Sequence, residues 1–365
     1  MYIASPASRK VYQMLRTINV RNFRCFKDLN LGNLERFNFI VGDNGSGKSS
    51  LLDAVFLCAG TSPEMFLRTL LWRGVISPAK PIELASDSYK TFFEEMFHSF
   101  DTSRDIEIKF TDVNSDLRWL VISYGSQGQF SLPLATGDLG SSTAVIQPIT
   151  FRAGIGEKET YNTQIEIAGG ERLRFQAPKA PYSMVLLNAS NVFSPDQLSR
   201  GLSNLDAQNK KGKILASLTK VFPEINDISV IIHGGAEVPF VGSNLLAKKI
   251  PIGSFSAGLT KFLAILVAIE NRARGVVLID EIENGFYHSK IGEYMKAIFE
   301  YCESNDTQLF ASTHSMEFLR LLTPALKERD DYCLLRMTKK QGQTHVKKVE
   351  AENFEAAIEY GFEVR

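Results

Sequence analysis

The chain has 365 residues, of which 44% are hydrophobic, and it carries 41 basic and 41 acidic side chains. This composition supports a large buried core in one or two domains, and the balanced charge argues against a protein coated in positive charge. The sequence has no run of about 18 apolar residues, and MYIASPASRK lacks the apolar core of a secretory signal. Together with four cysteines that form no CxxC pair, these features predict a cytoplasmic protein without membrane contact.

The first motif follows the short apolar strand RFNFI and reads GDNGSGKS at residues 42–49, which matches the P-loop pattern GxxxxGK[ST] at every fixed position. Its glycines allow the backbone to curl so that N–H groups point at phosphate oxygens. The lysine supplies positive charge near the β and γ phosphates, and the serine hydroxyl suits Mg²⁺. The next helix directs its N-terminus at the same phosphates. The predicted ATP-binding residues are Gly42, Asp43, Asn44, Gly45, Ser46, Gly47, Lys48, Ser49 and Ser50.

The middle of the chain is longer than a compact P-loop domain needs. Residues 60–100 place aromatic residues and Met at helical spacing, whereas residues 105–185 alternate in the manner of strands, with Gly and Pro between them. Further along, Ser194 as a cap and Pro195 in the first turn predict a helix or a helix pair. No sustained heptads are present, which argues against a long coiled-coil arm. Lysines at 210, 211 and 213 form either a solvated face or a phosphate track, so DNA contact stays open.

The segment IPIGSFSAGLTKFLAILVAIENRARG, residues 250–275, begins with small residues and continues as a predicted amphipathic helix. Its apolar stripe consists of Leu259, Phe262, Leu263, Leu266 and Ile269. Ser256 is the predicted N-cap and Gly258 lies in the first turn. A serine beside the free N–H groups of a helix start forms an anion site.

Two apolar runs near the C-terminal end precede polar residues. Val276–Ile279 is predicted to be a buried parallel strand that ends at Asp280 and Glu281, where open α/β sheets place ligands. Asp280 suits the Mg²⁺ shell, and Glu281 suits a general base for the attacking water. If the strand at residues 309–311 lies beside it, His314 reaches the same edge, near the γ-phosphate. A hydrogen-bonded core histidine is the alternative.

In this order, the P-loop, the S-x-G helix start, the Asp-Glu strand and THS resemble the ABC-type ATPase heads of the RecF, SMC and OLD (overcoming lysogenisation defect) group. INVRNFRCFKDLNL, VGDNGSGKSSLL, IPIGSFSAGLTKFLAIL, LIDEIENGF and FASTHSMEF are similar to bacterial AAA-type ATPases related to OLD proteins. The resemblance covers residues 17–60 and about 180–320. It implies that two heads sandwich two ATP molecules, with Ser256 and Gly258 of one copy contacting the γ-phosphate held by the other. It also implies that His314 is a switch histidine and that Arg24 lies near the nucleotide.

Several positions depart from the pattern of that family. Ala257 stands where classical signatures carry glycine, and Leu259 where they carry Gln or Glu. Tyr287 occupies a position that is usually His, and Gln147 is only a candidate for the Q-loop glutamine. These departures leave the rate of hydrolysis open, so a slow, switch-like ATPase is as plausible as a fast one.

The predicted fold is α/β: an ABC-type P-loop ATPase head with a mostly parallel sheet flanked by helices, an antiparallel β-region and a helical insertion. Residues 1–60 would form the N-terminal part of the head with the P-loop, and residues 61–193 the insertion and β-region. Residues 194–249 would form a helical segment with short strands, and residues 250–365 the C-terminal part of the head.

Three functions fit these patterns. The first is a homodimeric or higher-oligomeric ATPase with ATP and Mg²⁺ as cofactors, which switches a partner effector, by analogy a TOPRIM-like nuclease or toxin in phage defence. The C-terminal sequence lacks the Glu…Asp-x-Asp cluster of a TOPRIM metal site, so a nuclease would act in trans. The second is a RecF-like repair ATPase that binds DNA directly. The third, the ATPase subunit of a membrane transporter, is disfavoured by the weak signature and the untypical middle region.

Overall fold

The computed structural model describes residues 14–60, 63–72, 93–125, 130–133, 143–146, 149–168, 172–174, 183–187, 195–354 and 358. Gln147 and the predicted cap Ser194 lie outside these residues.

The strands, in chain order, are β1 (Leu15–Phe23), β2 (Phe26–Leu31), β3 (Phe37–Gly42), β4 (Ile106–Asp112), β5 (Leu117–Tyr124), β6 (Phe130–Pro133), β7 (Thr143–Ile146), β8 (Ile149–Ile155), β9 (Lys158–Gln164), β10 (Glu166–Ala168), β11 (Arg172–Arg174), β12 (Met184–Leu187), β13 (Ile225–His233), β14 (Ala236–Ser243), β15 (Ile250–Pro251), β16 (Val276–Ile279), β17 (Gln308–Thr313), β18 (Tyr332–Lys340) and β19 (Gln343–Glu350). The helices are α1 (Lys48–Gly60), α2 (Pro63–Trp72), α3 (Pro195–Ala207), α4 (Lys211–Val221), α5 (Ile252–Phe255), α6 (Ala257–Asn271), α7 (Ile291–Ser304) and α8 (Met316–Leu326).

A six-stranded sheet in the order β12-β16-β17-β3-β18-β19 forms the centre of the head. Its neighbouring strands run parallel except for the β18–β19 hairpin. The predicted mostly parallel sheet is confirmed, as is the predicted position of β17 beside β16. Strand β16 has the predicted bounds, whereas β17 begins one residue before the predicted residues 309–311, at Gln308, and ends two residues after them, at Thr313.

Both faces of this sheet are buried because successive side chains of a strand point to opposite sides. In β3, Phe37, Phe39 and Val41 join the core cluster formed with α3, α4, α6, α7 and α8. Ile40 points the other way, into a cluster formed with α1 and a second sheet. Burial on two faces explains why the strands read as continuous apolar runs rather than as alternating patterns.

The second sheet is antiparallel, in the order β2-β1-β4-β5-β8-β9, and it corresponds to the predicted β-region. Its order shows that the N-terminal hairpin of β1 and β2 belongs to this sheet, because β1 pairs with β4 from Leu15 to Arg21, with one register shift between Leu15 and Thr17. The hairpin therefore bridges the P-loop part of the chain and the β-region. The segment boundaries given above stay a prediction.

The helical segment predicted after residue 194 forms α3 and α4, which pack on α6. The prediction that α6 is amphipathic is wrong about its outer face. Between Gly258 and Glu270 only Thr260 is not fully buried, because the sheet covers one side of the helix while α3, α4 and α7 cover the other. No helix among the described residues is long and apolar enough to cross a membrane.

Candidate functional site

Three neighbouring strands deliver the predicted site residues to one edge of the parallel sheet. Strand β3 ends at Gly42 and enters the P-loop, β16 ends at Ile279 just before Asp280, and β17 ends at Thr313 just before His314. Since β16, β17 and β3 are adjacent and parallel, their carboxyl ends meet at the same edge. This is the place where open α/β sheets bind ligands.

The P-loop requires its glycines because of both backbone angle and space. Gly42, Gly45 and Gly47 have φ values of +152°, +77° and +103°, which side chains with a Cβ rarely adopt. A Cβ on Gly42 would lie 2.3 Å from the carbonyl oxygen of Met337, and a Cβ on Gly47 would lie 2.5 Å from Cys25 Sγ. The loop is thus held tightly between β18 and the N-terminal hairpin.

Within the loop, Asp43, Asn44 and Gly45 form the exposed tip, and Ser46 is buried. The backbone N–H of Ser46 donates to the Asp43 carbonyl at 3.1 Å, closing the turn. The Thr344 hydroxyl of β19 donates to the Ser46 carbonyl at 3.2 Å. The β18–β19 hairpin therefore supports the loop from the side opposite its open tip.

Lys48 is nearly buried and curls back across the loop. Its Nζ donates to the carbonyl oxygens of Gly42 at 2.7 Å and Asp43 at 2.9 Å. Burial lowers the pKa of Lys48, and the nearby carboxylates Asp280, Glu281, Glu283 and Asp43 act in the opposite direction. The ammonium is therefore fixed at the mouth of the loop, where a phosphate would meet it.

The Ser49 hydroxyl donates to Asp280 Oδ1 at 3.3 Å. Ser312 donates to the same oxygen at 2.5 Å. A hydroxyl and a carboxylate are hard oxygen donors of the kind Mg²⁺ takes when phosphates and water supply its remaining ligands. These side chains therefore fit a magnesium ion between the P-loop and β16. Sequence reasoning missed Ser312, although its place at the end of β17, beside β16, was a usable signal.

Glu281 adopts a left-handed backbone conformation with φ of +51°. Its N–H donates to Ser312 Oγ at 2.9 Å, and its carbonyl accepts from Lys261 Nζ at 2.8 Å. Asn284 Nδ2 donates to Glu281 Oε2 at 2.5 Å. Both the backbone and the carboxylate of the predicted base are thus held in one orientation.

His314 is paired with a carboxylate that sequence reasoning missed. Glu283 Oε1 accepts from the backbone N–H of His314 at 3.1 Å and lies 3.2 Å from its Nδ1. The His314 side chain is 45% exposed, so it is not a buried core histidine. The spacing of acids in DEIEN was the signal for Glu283. Contact at Nδ1 leaves Nε2 for a ligand at the sheet edge.

Ser256 and Gly258 form the start of α6. Ser256 is the N-cap, as predicted, and its Oγ accepts from the N–H of Leu259 at 3.4 Å. Gly258 faces the loop after Glu281, because a Cβ there would lie 2.9 Å from the Gly285 carbonyl oxygen. The contact of these two residues with a second copy's nucleotide stays a prediction.

Arg24 lies in the turn between β1 and β2 and has a φ of +50°. Its guanidinium is 3.5 Å from the fully buried carboxylate of Asp53 on α1, the helix that follows the P-loop. His98 Nδ1 is 2.9 Å from the Arg24 carbonyl oxygen. Arg24 thus ties the N-terminal hairpin to the P-loop helix, and its predicted place near the nucleotide stays a prediction.

Comparison with known proteins gives a consistent fold assignment. A family model described as "RecF/RecN/SMC N terminal domain" matches residues 14–131, and one described as "AAA domain, putative AbiEii toxin, Type IV TA system" matches residues 225–320. The crystal structure of an SMC head bound to the C-winged helix domain of ScpA aligns with a TM-score of 0.50 at 13% identity, over 93% of this chain and 99% of that chain. The fold is that of an ABC-type ATPase head. The two family matches together contain every predicted site residue of this head.

Two curated relatives extend the comparison. An "ATP/GTP phosphatase" from Helicobacter pylori is 24% identical over 340 residues, which is 87% of this chain and 90% of that protein. The "DNA replication and repair protein RecF" from Thermomicrobium roseum is 32% identical over 90 residues, which is 25% of this chain and 22% of that protein. The similarity therefore extends along most of the phosphatase but is confined to a short part of RecF.

Proposed function

We propose that this ATPase head binds Mg·ATP at the carboxyl edge of its parallel sheet and hydrolyses the γ-phosphate. One observation supports this most strongly: residues far apart in the chain meet around the P-loop. Ser49 and Asp280 are separated by 231 positions yet are hydrogen-bonded, while Lys48 lies beside them and His314 at the neighbouring strand end. The name of the phosphatase relative is consistent with this activity.

Each residue has a role in the proposed reaction. Lys48 and the loop N–H groups would hold the phosphates, and Ser49 and Asp280 would hold Mg²⁺, which when bound offsets the charge of the terminal phosphate. The Glu281 carboxylate would accept a proton from the water that attacks the γ-phosphorus, while the bond to ADP breaks. His314 would donate a hydrogen bond to the γ-phosphate.

We further propose that two copies close around two nucleotides, with Ser256 and Gly258 completing the partner's site. The start of α6 supports this because it combines a capping serine with free backbone N–H groups, which favour an anion. Ser256→Arg mixed with Lys48→Ala should recover at most one composite site per dimer. Unchanged turnover of Ser256→Arg alone would rule out action in trans.

The proposed role of the nucleotide is to control an effector protein, a TOPRIM-like nuclease or toxin in phage defence, which responds to whether this chain holds ATP or ADP. The supporting observation is the similarity of residues 225–320 to a family described with a toxin of a type IV system. Co-purification of the Glu281→Gln protein with a co-expressed effector, in ATP but not in ADP, would test this coupling.

A second candidate function is direct DNA binding, which the short RecF similarity favours. A RecF-like protein would bind DNA alone, in an ATP-dependent and salt-sensitive manner, because phosphate contacts release counterions. Gel-shift or anisotropy titrations of the purified chain at two salt concentrations distinguish the two functions.

Turnover by the Glu281→Gln protein is the primary test of hydrolysis. It should bind ATP, accumulate as an ATP-bound dimer and lose nearly all turnover, whereas Lys48→Met should lose nucleotide binding itself. Glu328→Gln is a matched control because Glu328 is exposed on the surface. Hydrolysis by Glu281→Gln at the parent rate would show that the base is another residue.

A further inference from the structure

Lys261 is a buried lysine in the middle of the site-forming elements. It lies on α6 with 4% of its surface exposed, and its Nζ is 5.4 Å from the centre of the Phe286 ring. Burial lowers its pKa to about 8 against the attraction of Glu283, Glu281 and Asp280. A buried ammonium is costly unless its hydrogen bonds are satisfied. An aliphatic side chain would fill this space without that cost, so the partner of the ammonium indicates its role.

That partner is the backbone of the proposed base. Lys261 Nζ donates to the Glu281 carbonyl at 2.8 Å, and Ser312 Oγ accepts the Glu281 N–H at 2.9 Å from the other side. The left-handed φ of Glu281 is unfavourable for a residue with a Cβ and persists only where the surroundings hold it. Lys261 and Ser312 therefore hold Glu281 in this conformation by one hydrogen bond each.

The same helix begins at the proposed contact with the second copy. Ser256 caps α6, and Lys261 follows on the next turn of a helix that is buried on nearly all sides. Gly258 packs against Gly285, so the helix start and the loop after Glu281 also touch directly. A shift of Ser256 toward a phosphate would therefore move Lys261 and the backbone it holds.

We propose that Lys261 is a positioning residue that holds the backbone of Glu281. Through α6 it also couples two sites: the partner copy's nucleotide site, which Ser256 completes, and the site in its own chain, where Glu281 is the base. The coupling rests on the dimer under "Proposed function". Because the hydrogen bond of Lys261 goes to the backbone of the proposed base, Lys261 should act on turnover and cooperativity rather than on nucleotide affinity.

The experiment compares Lys261→Met, Lys261→Arg and the parent in the full chain. Steady-state kinetics give kcat and the Hill coefficient for ATP, and calorimetric titration with a non-hydrolysable ATP analogue gives Kd. Lys261→Met should lower kcat at least thirtyfold, leave Kd within twofold and bring the Hill coefficient toward one. Lys261→Arg, which keeps a charged donor, should restore most of kcat. Lys296→Met on the exposed side of α7 is the matched control.

Several results would overturn the proposal. These are a kcat of Lys261→Met within threefold of the parent, an unchanged Hill coefficient, or a parallel loss of kcat, Kd and thermal stability that indicates a purely structural role. If Lys261→Met does not fold, Lys261→Gln takes its place with the same criteria. If Glu281→Gln loses turnover while Lys261→Met keeps the kcat of the parent, only this inference is refuted. Full turnover in Glu281→Gln would instead refute the proposed function.

Discussion

The Ser312 hydroxyl donates to Asp280 Oδ1 at 2.5 Å, although 32 positions separate the two residues in the chain. The Ser312 hydroxyl oxygen in turn accepts the backbone N–H of Glu281 at 2.9 Å. One serine therefore orients both the proposed magnesium ligand and the proposed base. Hydrogen bonds to a metal ligand orient that ligand toward the metal, so they contribute to metal binding although they do not touch the metal.

Ser312→Ala should weaken the use of Mg²⁺ by about 10- to 100-fold in apparent affinity or turnover, the usual cost of losing an outer contact. It should also leave the Glu281 N–H without its partner. ATPase assays titrated with MgCl₂ measure the effect, and Ser304→Ala, an exposed serine on α7, is the control. Parent-like Mg²⁺ dependence in Ser312→Ala would contradict the assigned role.

The ion pair of Arg24 with Asp53 predicts a large effect on stability. The Asp53 side chain is fully buried and that of Arg24 is 20% exposed. Arg24→Met would remove one charged partner of this buried carboxylate, which should cost about 1.5–3 kcal/mol in the free energy of unfolding. Denaturant unfolding measures it. The double variant Arg24→Met/Asp53→Leu should recover most of the loss, and additive losses would argue against the pair.

The parts of the site that could be predicted are those formed by residues close together in the sequence. The P-loop spacing, the strand Val276–Ile279 and the acids after it are adjacent along the chain, and each has a local signature. The place of His314 beside them needed one further assumption, that β17 is the neighbour of β16, which strand pairing confirms.

The supporting contacts could not be predicted, because they join residues distant in sequence. Lys261 reads as an ordinary solvated lysine on an amphipathic helix, and only the covering of α6 by α3, α4 and α7 buries it. Similarly, Leu15–Leu31 gives no local indication that it pairs with β4. Packing between distant segments, rather than propensity, determines these features.

Gln308 joins three parts of the chain at the end of the sheet opposite the site. Its Oε1 accepts from the Leu15 N–H at 2.8 Å, and its Nε2 donates to the carbonyls of Leu15 at 3.0 Å and Glu35 at 2.7 Å. Gln308→Leu would remove the hydrogen-bond partner of these buried backbone groups and should lower the free energy of unfolding by more than about 2 kcal/mol. ATP affinity should change little at temperatures where the variant is folded.

Chemical denaturation and nucleotide titration of the same samples test this prediction. Gln343→Leu, at an exposed position on β19, is the matched control and should unfold like the parent. A variant at position 308 with parent stability would show that the N-terminal strand is held by its ladder alone.

The buried Glu270 on α6 predicts a pH-dependent contribution to stability. Tyr301 donates to its Oε2 at 2.8 Å, and Lys213 and Lys210 lie 3.1 and 3.3 Å from its two oxygens. Burial, the largest influence, acts to raise the pKa of Glu270, but these hydrogen bonds and charges together lower it below the ordinary value of 4.5. A lowered folded-state pKa means that the stabilisation is fully present above the unfolded-state pKa and is lost as pH falls through the folded-state pKa.

Glu270→Gln should therefore be less stable than the parent at pH 7, by about 1–3 kcal/mol, because two lysines and a tyrosine lose a charged partner. The difference should shrink as the pH falls below the ordinary value of 4.5 and then through the lower folded-state pKa, where the parent carboxylate protonates. Denaturant unfolding of both proteins from pH 7 down to the acid limit of folding measures it, with exposed Glu328→Gln as the control. A gap of constant size over this range would mean that Glu270 stabilises the fold through packing rather than through its charge.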